Sequence, residues 1–288
     1  MFNELSVFPD FVVASPDNLI VHSTDGGFYR IDNIDACKWL PQPTISAVVN
    51  AASFANDGTV APRQLITFFG SGLGPVDGQG FVLDGALRAT GQPAPFPTLT
   101  LGNFSGVNPN AAVTGTALPV IYSNDTQVTT QAPIANPVSN SYLLYFGWNG
   151  LTLIQPRTVG TVDATPGLFA DGPNAAALNE DGSRNTAATP AAAGSIVQFF
   201  GTGLGAIDGT LALGDFFSPD VPVLTINPVA IGIGGASAEV VFSGGAPGQI
   251  GGVYQINARR PAGLAPGAQP VEITVAGQDA KPVRIFVR

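Results

Sequence analysis

Residues 60–78 read VAPRQLITFFGSGLGPVDG, and residues 191–209 read AAAGSIVQFFGTGLGAIDG, so the first stretch recurs 131 positions later. A second pair follows in the same order, because residues 126–133 (TQVTTQAP) resemble residues 254–261 (YQINARRP) at an offset of 128. Two matches in one order and at nearly the same offset indicate an internal duplication.

The repeated stretches are typical of β-strands. Leu65–Phe69 and Ile196–Phe200 are short apolar runs rich in β-branched and aromatic residues, and no long segment shows the apolar spacing of a helix. We therefore predict an all-β protein with two tandem immunoglobulin-like β-sandwiches, at 44–165 and 166–288, preceded by a short β-hairpin segment at 1–43.

The N-terminal segment, 1–43, differs from both repeats. Three short strands are predicted in it, at Phe11–Ala14, Leu19–Ser23 and Phe28–Ile31. A hairpin of this size cannot bury its apolar face alone. We therefore predict that residues 1–31 pack across the first sandwich or across another copy of the chain, so self-association through them is one expected interaction.

Several phrases carry a resemblance to a known family. They are, in order, Ile45–Phe54, Val60–Pro62 with Phe69–Gly74, Leu178–Ser183, Tyr254–Asn257 and Pro261–Leu264. Together they resemble the Solibacter-type uncharacterised C-terminal domain, found at the ends of large exported bacterial proteins, and each half is similar to an IPT/TIG immunoglobulin-like domain. The resemblance implies an extracellular context without an established activity, and residues 11–31 are similar to one incomplete β-propeller blade.

Composition excludes several classes of function. Among 288 residues, 36 are Gly and 25 are Pro, only 11% are charged, and the net charge is −9. An acidic chain with 11 scattered basic residues lacks the positive stripe that nucleic acid requires. No apolar run approaches the length of a membrane span, so neither nucleic-acid binding nor membrane insertion is expected. No signal peptide is visible, and we expect one upstream in a longer parent protein.

The glycine-rich turns invite comparison with a dinucleotide-binding loop. Gly70, Gly72 and Gly74 follow a strand, as that fingerprint requires, but nothing after them resembles the helix that receives a pyrophosphate. The same turn recurs at Gly201–Gly205. We predict that these glycines are structural and that no cofactor is bound.

The loop Asn179–Asn185 offers several oxygen atoms around a glycine, as calcium loops do, but its spacing does not match an EF-hand. An ordinary turn is the main prediction, and calcium binding stays open. No metal site is predicted elsewhere.

Few residues of this sequence are candidates for a catalytic role. His22 and Cys37 are the single histidine and the single cysteine, and they lie outside both repeats. Nothing in the pattern selects a carboxylate pair such as Asp171 and Asp181. The aromatic run Tyr142–Trp148 is interpreted as a core strand, with a carbohydrate-stacking surface as the alternative. We predict no catalytic residues and no enzyme activity.

These patterns favour a non-enzymatic, extracellular interaction or presentation module of a larger bacterial surface or secreted protein, with a protein or polysaccharide of the cell surface as its partner. Two alternatives stay open. One is a structural subunit of an extracellular filament assembled by exchange of N-terminal strands, and the other is a carbohydrate-binding module.

Overall fold

The computed structural model describes residues 12–15, 18–22, 28–32, 43–56, 58–80, 82–83, 89–90, 98–102, 115–134, 142–148, 151–157 and 160–288. The chain divides into two compact units, Met1–Gln42 and Pro43–Arg288. The first unit contains β1 (Val12–Ser15), β2 (Asn18–His22) and β3 (Phe28–Asp32), which form an antiparallel sheet in the order β1-β2-β3. The three strands predicted from the sequence are therefore present, within one residue at their ends.

The second unit is also all β in its described part. Its first strands are β4 (Thr44–Asn50), β5 (Thr59–Val60), β6 (Leu65–Ser71), β7 (Gln79–Gly80), β8 (Val82–Leu83), β9 (Ala89–Thr90), β10 (Thr98–Gly102), β11 (Gly115–Leu118), β12 (Val120–Asn124), β13 (Gln127–Gln131), β14 (Tyr142–Trp148), β15 (Leu151–Arg157) and β16 (Gly160–Thr161). The later strands are β17 (Gly167–Leu168), β18 (Ala170–Asp171), β19 (Asn174–Ala175), β20 (Ala177–Asn179), β21 (Ile196–Thr202), β22 (Val229–Ile233), β23 (Ala236–Gly245), β24 (Tyr254–Arg259), β25 (Gly267–Val275), β26 (Gln278–Asp279) and β27 (Val283–Val287). Within the described ranges, no helix is both long and apolar enough to cross a bilayer.

The duplication is visible in the strand register. β6 pairs with β13 so that Phe69 faces Gln127, and β21 pairs with β24 so that Phe200 faces Gln255. These two pairs are the residues that the sequence offsets of 131 and 128 bring into correspondence. The two copies of the repeat therefore form the same antiparallel strand pair in the same register.

A β-bulge recurs at the equivalent place in both copies. On the strand that flanks the pair, β12 shifts its register between Val120 and Tyr122, and β23 shifts between Val240 and Phe242. Such a bulge bends a strand and increases its local twist. The repeat thus extends to a third strand, in which residues 120–123 (VIYS) resemble residues 240–243 (VVFS).

The prediction of two tandem sandwiches is not confirmed. In the second half, one sheet of 11 strands runs in the order β17-β21-β24-β23-β22-β25-β27-β19-β18, with β20 and β26 added at its side. β17 and β18, at the two ends of this path, are separated along the chain only by Phe169, so the sheet is nearly closed like a barrel. The sequence suggests two separate sheets, but the structure has a nearly continuous one.

The long strand β23 is the physical reason for this difference. Its first three residues, Ala236–Ala238, pair with β22, whereas the part from Glu239 onward pairs with β24. A bent strand that passes from one sheet to another forms the corner of an orthogonal or barrel-like packing. The two layers of the predicted second sandwich are therefore joined through β23.

The first half contains separate sheets. Five strands follow the order β4-β6-β13-β12-β7, and four follow the order β11-β10-β14-β15. Smaller pairs are β16 with β5, in parallel, and β8 with β9. The aromatic run Tyr142–Trp148 forms β14, as predicted, and pairs with both β10 and β15.

The buried apolar residues form two clusters. One includes Ile66, Phe68 and Val128 from the first half, and the other includes Val197 and Phe199 from the second half. The domain boundary at 165/166 stays a prediction, because residues 43–288 form one compact unit and Ala164 belongs to the second cluster.

Candidate functional site

The turn that precedes the central strand is built alike in the two copies. The Gln64 N–H donates to the Ala61 carbonyl at 3.3 Å, and the equivalent Ser195 N–H donates to the Ala192 carbonyl at the same distance. The carbonyls of Gln64 and Ser195 then accept from the next strand, from the N–H groups of Ala132 and Arg260 respectively. The two turns can therefore be compared residue by residue.

One position in this turn differs in a way that points to function. Residue 194 is glycine with φ +73°, and the equivalent residue in the first copy is Arg63 with φ +62°. Glycine takes this left-handed conformation freely, whereas a residue with a side chain pays of the order of 1–3 kcal/mol for it. Because strained residues of this kind cluster at binding and catalytic sites, we take the Arg63 side chain as the starting point of a candidate site.

The side chain of Arg63 is buried, with 3% of its surface exposed. Its Nη2 donates to the Leu211 carbonyl at 2.6 Å, which connects the first half of the chain to the second. Its Nη1 is also buried and has no hydrogen-bond partner in the described part of the chain. A buried guanidinium nitrogen without a partner is costly and needs an acceptor.

Arg63 lines a groove of about 530 Å³. The other residues along it are Ile134, Gly209, Thr210, Leu211, Ala212 and Asp215. Arg63 and Ile134 come from the first half of the chain, and the remainder come from one loop of the second half. The groove, which we call the junction groove, therefore lies where the two halves meet and combines opposite charges with apolar side chains.

Gln131 fixes the second-half loop that lines the junction groove. The Gln131 Oε1 accepts a hydrogen bond from the Gly214 N–H at 2.9 Å, and Gln131 is fully buried. The Asp215 carbonyl accepts from the Gly251 N–H at 2.8 Å. The backbone of residues 211–215 is thus fixed on both sides, and the groove is preformed.

A buried polar network joins the two halves beside the groove. The Gln64 Oε1 accepts from the Ala61 N–H at 2.8 Å and from the Thr165 hydroxyl at 2.6 Å. Those two bonds lie within the first half, and two others cross to the second half: the Leu65 N–H donates to the Thr202 hydroxyl at 2.7 Å, and the Thr165 N–H donates to the Gly203 carbonyl at 2.8 Å. Satisfied buried hydrogen bonds of this kind fix geometry. The junction is therefore expected to hold the two halves in one orientation.

Two side chains in this region have shifted pKa values. Desolvation on burial lowers the pKa of Arg63, which nevertheless stays protonated because a guanidinium does not titrate in the ordinary range. Burial raises the pKa of Tyr254, whose hydroxyl donates a hydrogen bond to the Gly205 carbonyl. Tyr254 is therefore a neutral phenol, and the charged groups that line the groove are Arg63 and Asp215.

The glycine-rich turns have the structural role predicted for them. β6 ends at Ser71 and β21 ends at Thr202, so both turns begin at the end of a strand, and Gly72 and Gly203 have φ values of +67° and +79°. A Cβ on Gly203 would lie 2.0 Å from the Thr165 carbonyl oxygen. These glycines permit positive φ and close backbone approach.

The loop Asn179–Asn185 is closed by its own hydrogen bonds. The Asp181 carboxylate accepts from both the N–H and the hydroxyl of Ser183, and the hydroxyl bond lowers the pKa of Asp181. The Asn185 side chain donates to the Phe286 carbonyl and accepts from the Phe286 N–H, which ties the loop to β27. The oxygens that suggested calcium are thus used within the loop and its neighbour.

The other candidates are scattered. Asp171 and Asp181 are both exposed, in β18 and in the loop after β20. His22 ends β2, and Cys37 lies outside the described residues. Among the described side chains, no three His, Cys, Asp or Glu residues form a group that would hold a metal ion.

Sequence reasoning missed Arg63, although a signal for it was present. Aligning the two copies places Arg63 opposite Gly194, in a turn where glycine is the favoured residue. The groove itself depends on a loop 148 residues away in sequence from Arg63, and no local pattern predicts that contact.

Comparisons with known proteins give only distant similarity. No family model matches the chain and no curated protein matches it, so the Solibacter-type resemblance is not confirmed. Among solved structures, the chain is similar to SGBP-B from a complex xyloglucan utilization locus in Bacteroides uniformis, at 14% identity and a TM-score of 0.28, over 85% of this chain and 49% of that one. It is also similar to surface layer protein SbsC, domains 4–9, at 12% identity and a TM-score of 0.26, over 94% of this chain and 34% of that one. The chain thus spans half or less of either matched chain, and similarity at this level establishes no shared function.

Proposed function

We propose that this chain is a non-enzymatic binding module of a larger bacterial surface or secreted protein, and that it contacts a cell-surface polysaccharide or protein through the junction groove. The observation that carries the proposal is Arg63. An arginine occupies a strained turn position where the other copy has glycine, and its side chain lines a groove with a buried nitrogen lacking a described partner.

The construction of the site supports binding rather than turnover. The groove is fixed by Gln131 and by the hydrogen bonds of Gln64 with Thr165, so a ligand would meet a preformed surface. Preformed sites bind well because little conformational entropy is lost. Placement outside the cell is part of the proposal, supported by a chain with one Cys and one Met, a composition that resists oxidation.

Polysaccharide binding through the groove is tested by native gel electrophoresis in gels that contain either a neutral glucan or a polyuronate. We expect at least one polymer to retard the chain. Ala212 is exposed and lines the groove, so Ala212→Trp should fill it and restore free mobility. The matched control is Val76→Trp, at a side chain that is 84% exposed and is not part of the groove lining.

Two outcomes would contradict the proposal as it concerns polysaccharides. The first is free mobility of the wild-type chain in every gel, and the second is equal retardation of the wild type and Ala212→Trp.

A second candidate function, a subunit of an extracellular filament, is favoured by the N-terminal sheet. Among the described strands, the order β1-β2-β3 leaves β1 and β3 at the edges of the sheet, and edge strands tend to recruit a strand from another chain. We expect multi-angle light scattering to show association of the full chain that is lost in a shortened chain beginning at Pro41. If both chains are monomeric and unfold at the same temperature, the filament alternative loses its support.

A further inference from the structure

We infer that the junction groove binds the carboxylate of an acidic saccharide, with Arg63 as the residue that contacts the carboxylate. This inference rests on the proposed function and specifies the class of ligand. It starts from a buried guanidinium nitrogen that has no hydrogen-bond partner in the described part of the chain.

The guanidinium of Arg63 calls for an anionic oxygen. Its Nη2 is used by the Leu211 carbonyl, a neutral acceptor, while the buried Nη1 has no acceptor in the described part of the chain. Arginine cannot neutralise itself by losing a proton, so the cost of its burial is relieved best by a negative acceptor. Carboxylates form strong, directional hydrogen bonds with guanidinium groups.

The groove also limits how much negative charge the ligand carries. Among the described residues of the lining, Arg63 is the one cationic side chain, and Asp215 lies in the same groove. The whole chain has a net charge of −9. A densely charged polyanion would be repelled by this field. An oligosaccharide with no more than one carboxylate per ring, set among neutral hydroxyl groups, suits the groove better.

A uronate ring matches the rest of the lining. Its hydroxyl groups can donate to the Asp215 carboxylate and exchange hydrogen bonds with Thr210, while its C–H faces can pack on Leu211 and Ile134. The volume of about 530 Å³ falls within the range of roughly 300–1,000 Å³ that is usual for small-ligand sites. A rigid ring also loses less entropy on binding than a flexible acidic peptide does.

The backbone conformation at position 63 indicates that arginine is present because of its side chain and is not needed to form the turn. Gly194 makes the equivalent turn without strain, so the turn itself does not need arginine. The strain at Arg63 is therefore maintained for what the guanidinium does in the groove.

Isothermal titration calorimetry of the full chain at low salt tests the inference with three probes. The probes are trigalacturonate, its fully methyl-esterified form, and triglutamate. We expect trigalacturonate to bind, and we expect esterification to weaken binding about 10- to 100-fold, since it removes the charge and keeps the ring. Triglutamate should bind more weakly than trigalacturonate.

Variants locate the contact. Arg63→Met keeps the length of the side chain and removes its charge, and it should weaken trigalacturonate binding about 10- to 100-fold. Arg184→Met is the matched control, because Arg184 is exposed and outside the groove, and it should leave the Kd unchanged. If Arg63→Met fails to fold by circular dichroism, Ala212→Trp on the exposed rim tests the same site.

The outcomes distinguish a failure of the carboxylate inference from a failure of the proposed binding site. Equal binding of the ester and the acid would overturn the carboxylate inference while leaving the groove as a binding site. Tighter binding of triglutamate would overturn the saccharide assignment in favour of an acidic peptide. Binding of trigalacturonate that survives Ala212→Trp would remove the groove from the account, and no binding of any probe would overturn the inference.

Discussion

Phe199→Ala is expected to lower the free energy of unfolding by about 3–5 kcal/mol. Phe199 lies in β21 at the centre of the second apolar cluster, and none of its surface is exposed. Truncation removes the ring and leaves a cavity that neighbouring strands cannot fill without breaking their ladder. Chemical denaturation followed by circular dichroism measures the change.

An equivalent variant can be made in the first copy of the repeat. Phe68 is the equivalent residue of the first copy and is 3% exposed, so Phe68→Ala should cost a similar amount in the first cluster. Phe54→Ala is the control, because Phe54 is 61% exposed and should cost less than about 1 kcal/mol. Equal effects of Phe199→Ala and Phe54→Ala would show that the second cluster is not the core. Separate unfolding transitions for the two halves would support a boundary at 165/166.

Gly203→Ala should destabilise the chain by about 3 kcal/mol or more, since two penalties act together. The residue has φ +79°, and an added Cβ would meet the Thr165 carbonyl oxygen at 2.0 Å. Thr165 also donates to Gln64 in the junction, so the clash would propagate into the network that joins the halves. Thermal and urea unfolding measure the loss.

Gly72→Ala is the comparison within the repeat. Gly72 has φ +67°, and the strain of alanine in that conformation should cost about 1 kcal/mol. The difference between the two variants measures the close approach at Gly203. Unchanged stability of Gly203→Ala would mean that the backbone there accommodates a Cβ, and the account of this turn would be wrong.

Much of the strand architecture follows from local patterns. The apolar runs at Leu65–Phe69 and Ile196–Phe200 form the central strands, and the offsets of the two repeated stretches anticipate the pairing of β6 with β13 and of β21 with β24. These features are encoded within short segments and in the repeat, so the sequence is sufficient to predict them.

The nearly closed sheet of the second half was not predictable in this way. It depends on β23, in which Ala236–Ala238 pair with one neighbour and the residues from Glu239 onward pair with another. The alternation of apolar and polar residues along a strand shows which residues lie on each face, but it does not show which strands pair with it. A sequence that alternates equally well in a sandwich and in a barrel therefore leaves that choice to tertiary contacts.

The candidate site could be predicted only in part. The mismatch of Arg63 with Gly194 is visible in the sequence, and its meaning follows from the conformational freedom of glycine. The burial of the guanidinium and its contact with Leu211 are not visible, because they arise where loops from the two halves meet. The Asn179–Asn185 loop shows the opposite case, since its oxygens suggested a ligand site but bond to one another and to β27.

The most direct test of the central claim, that the junction groove is the binding site, is a nuclear magnetic resonance titration of the isotopically labelled chain with trigalacturonate. The account predicts that the largest shift changes occur at the backbone amides of Gly209–Ala212 and at the Arg63 Nε–H, which belong to residues lining the groove. Changes concentrated on another surface, such as the half-buried face of β21 and β24 that carries Gln198 and Gln255, or no changes at all, would contradict it.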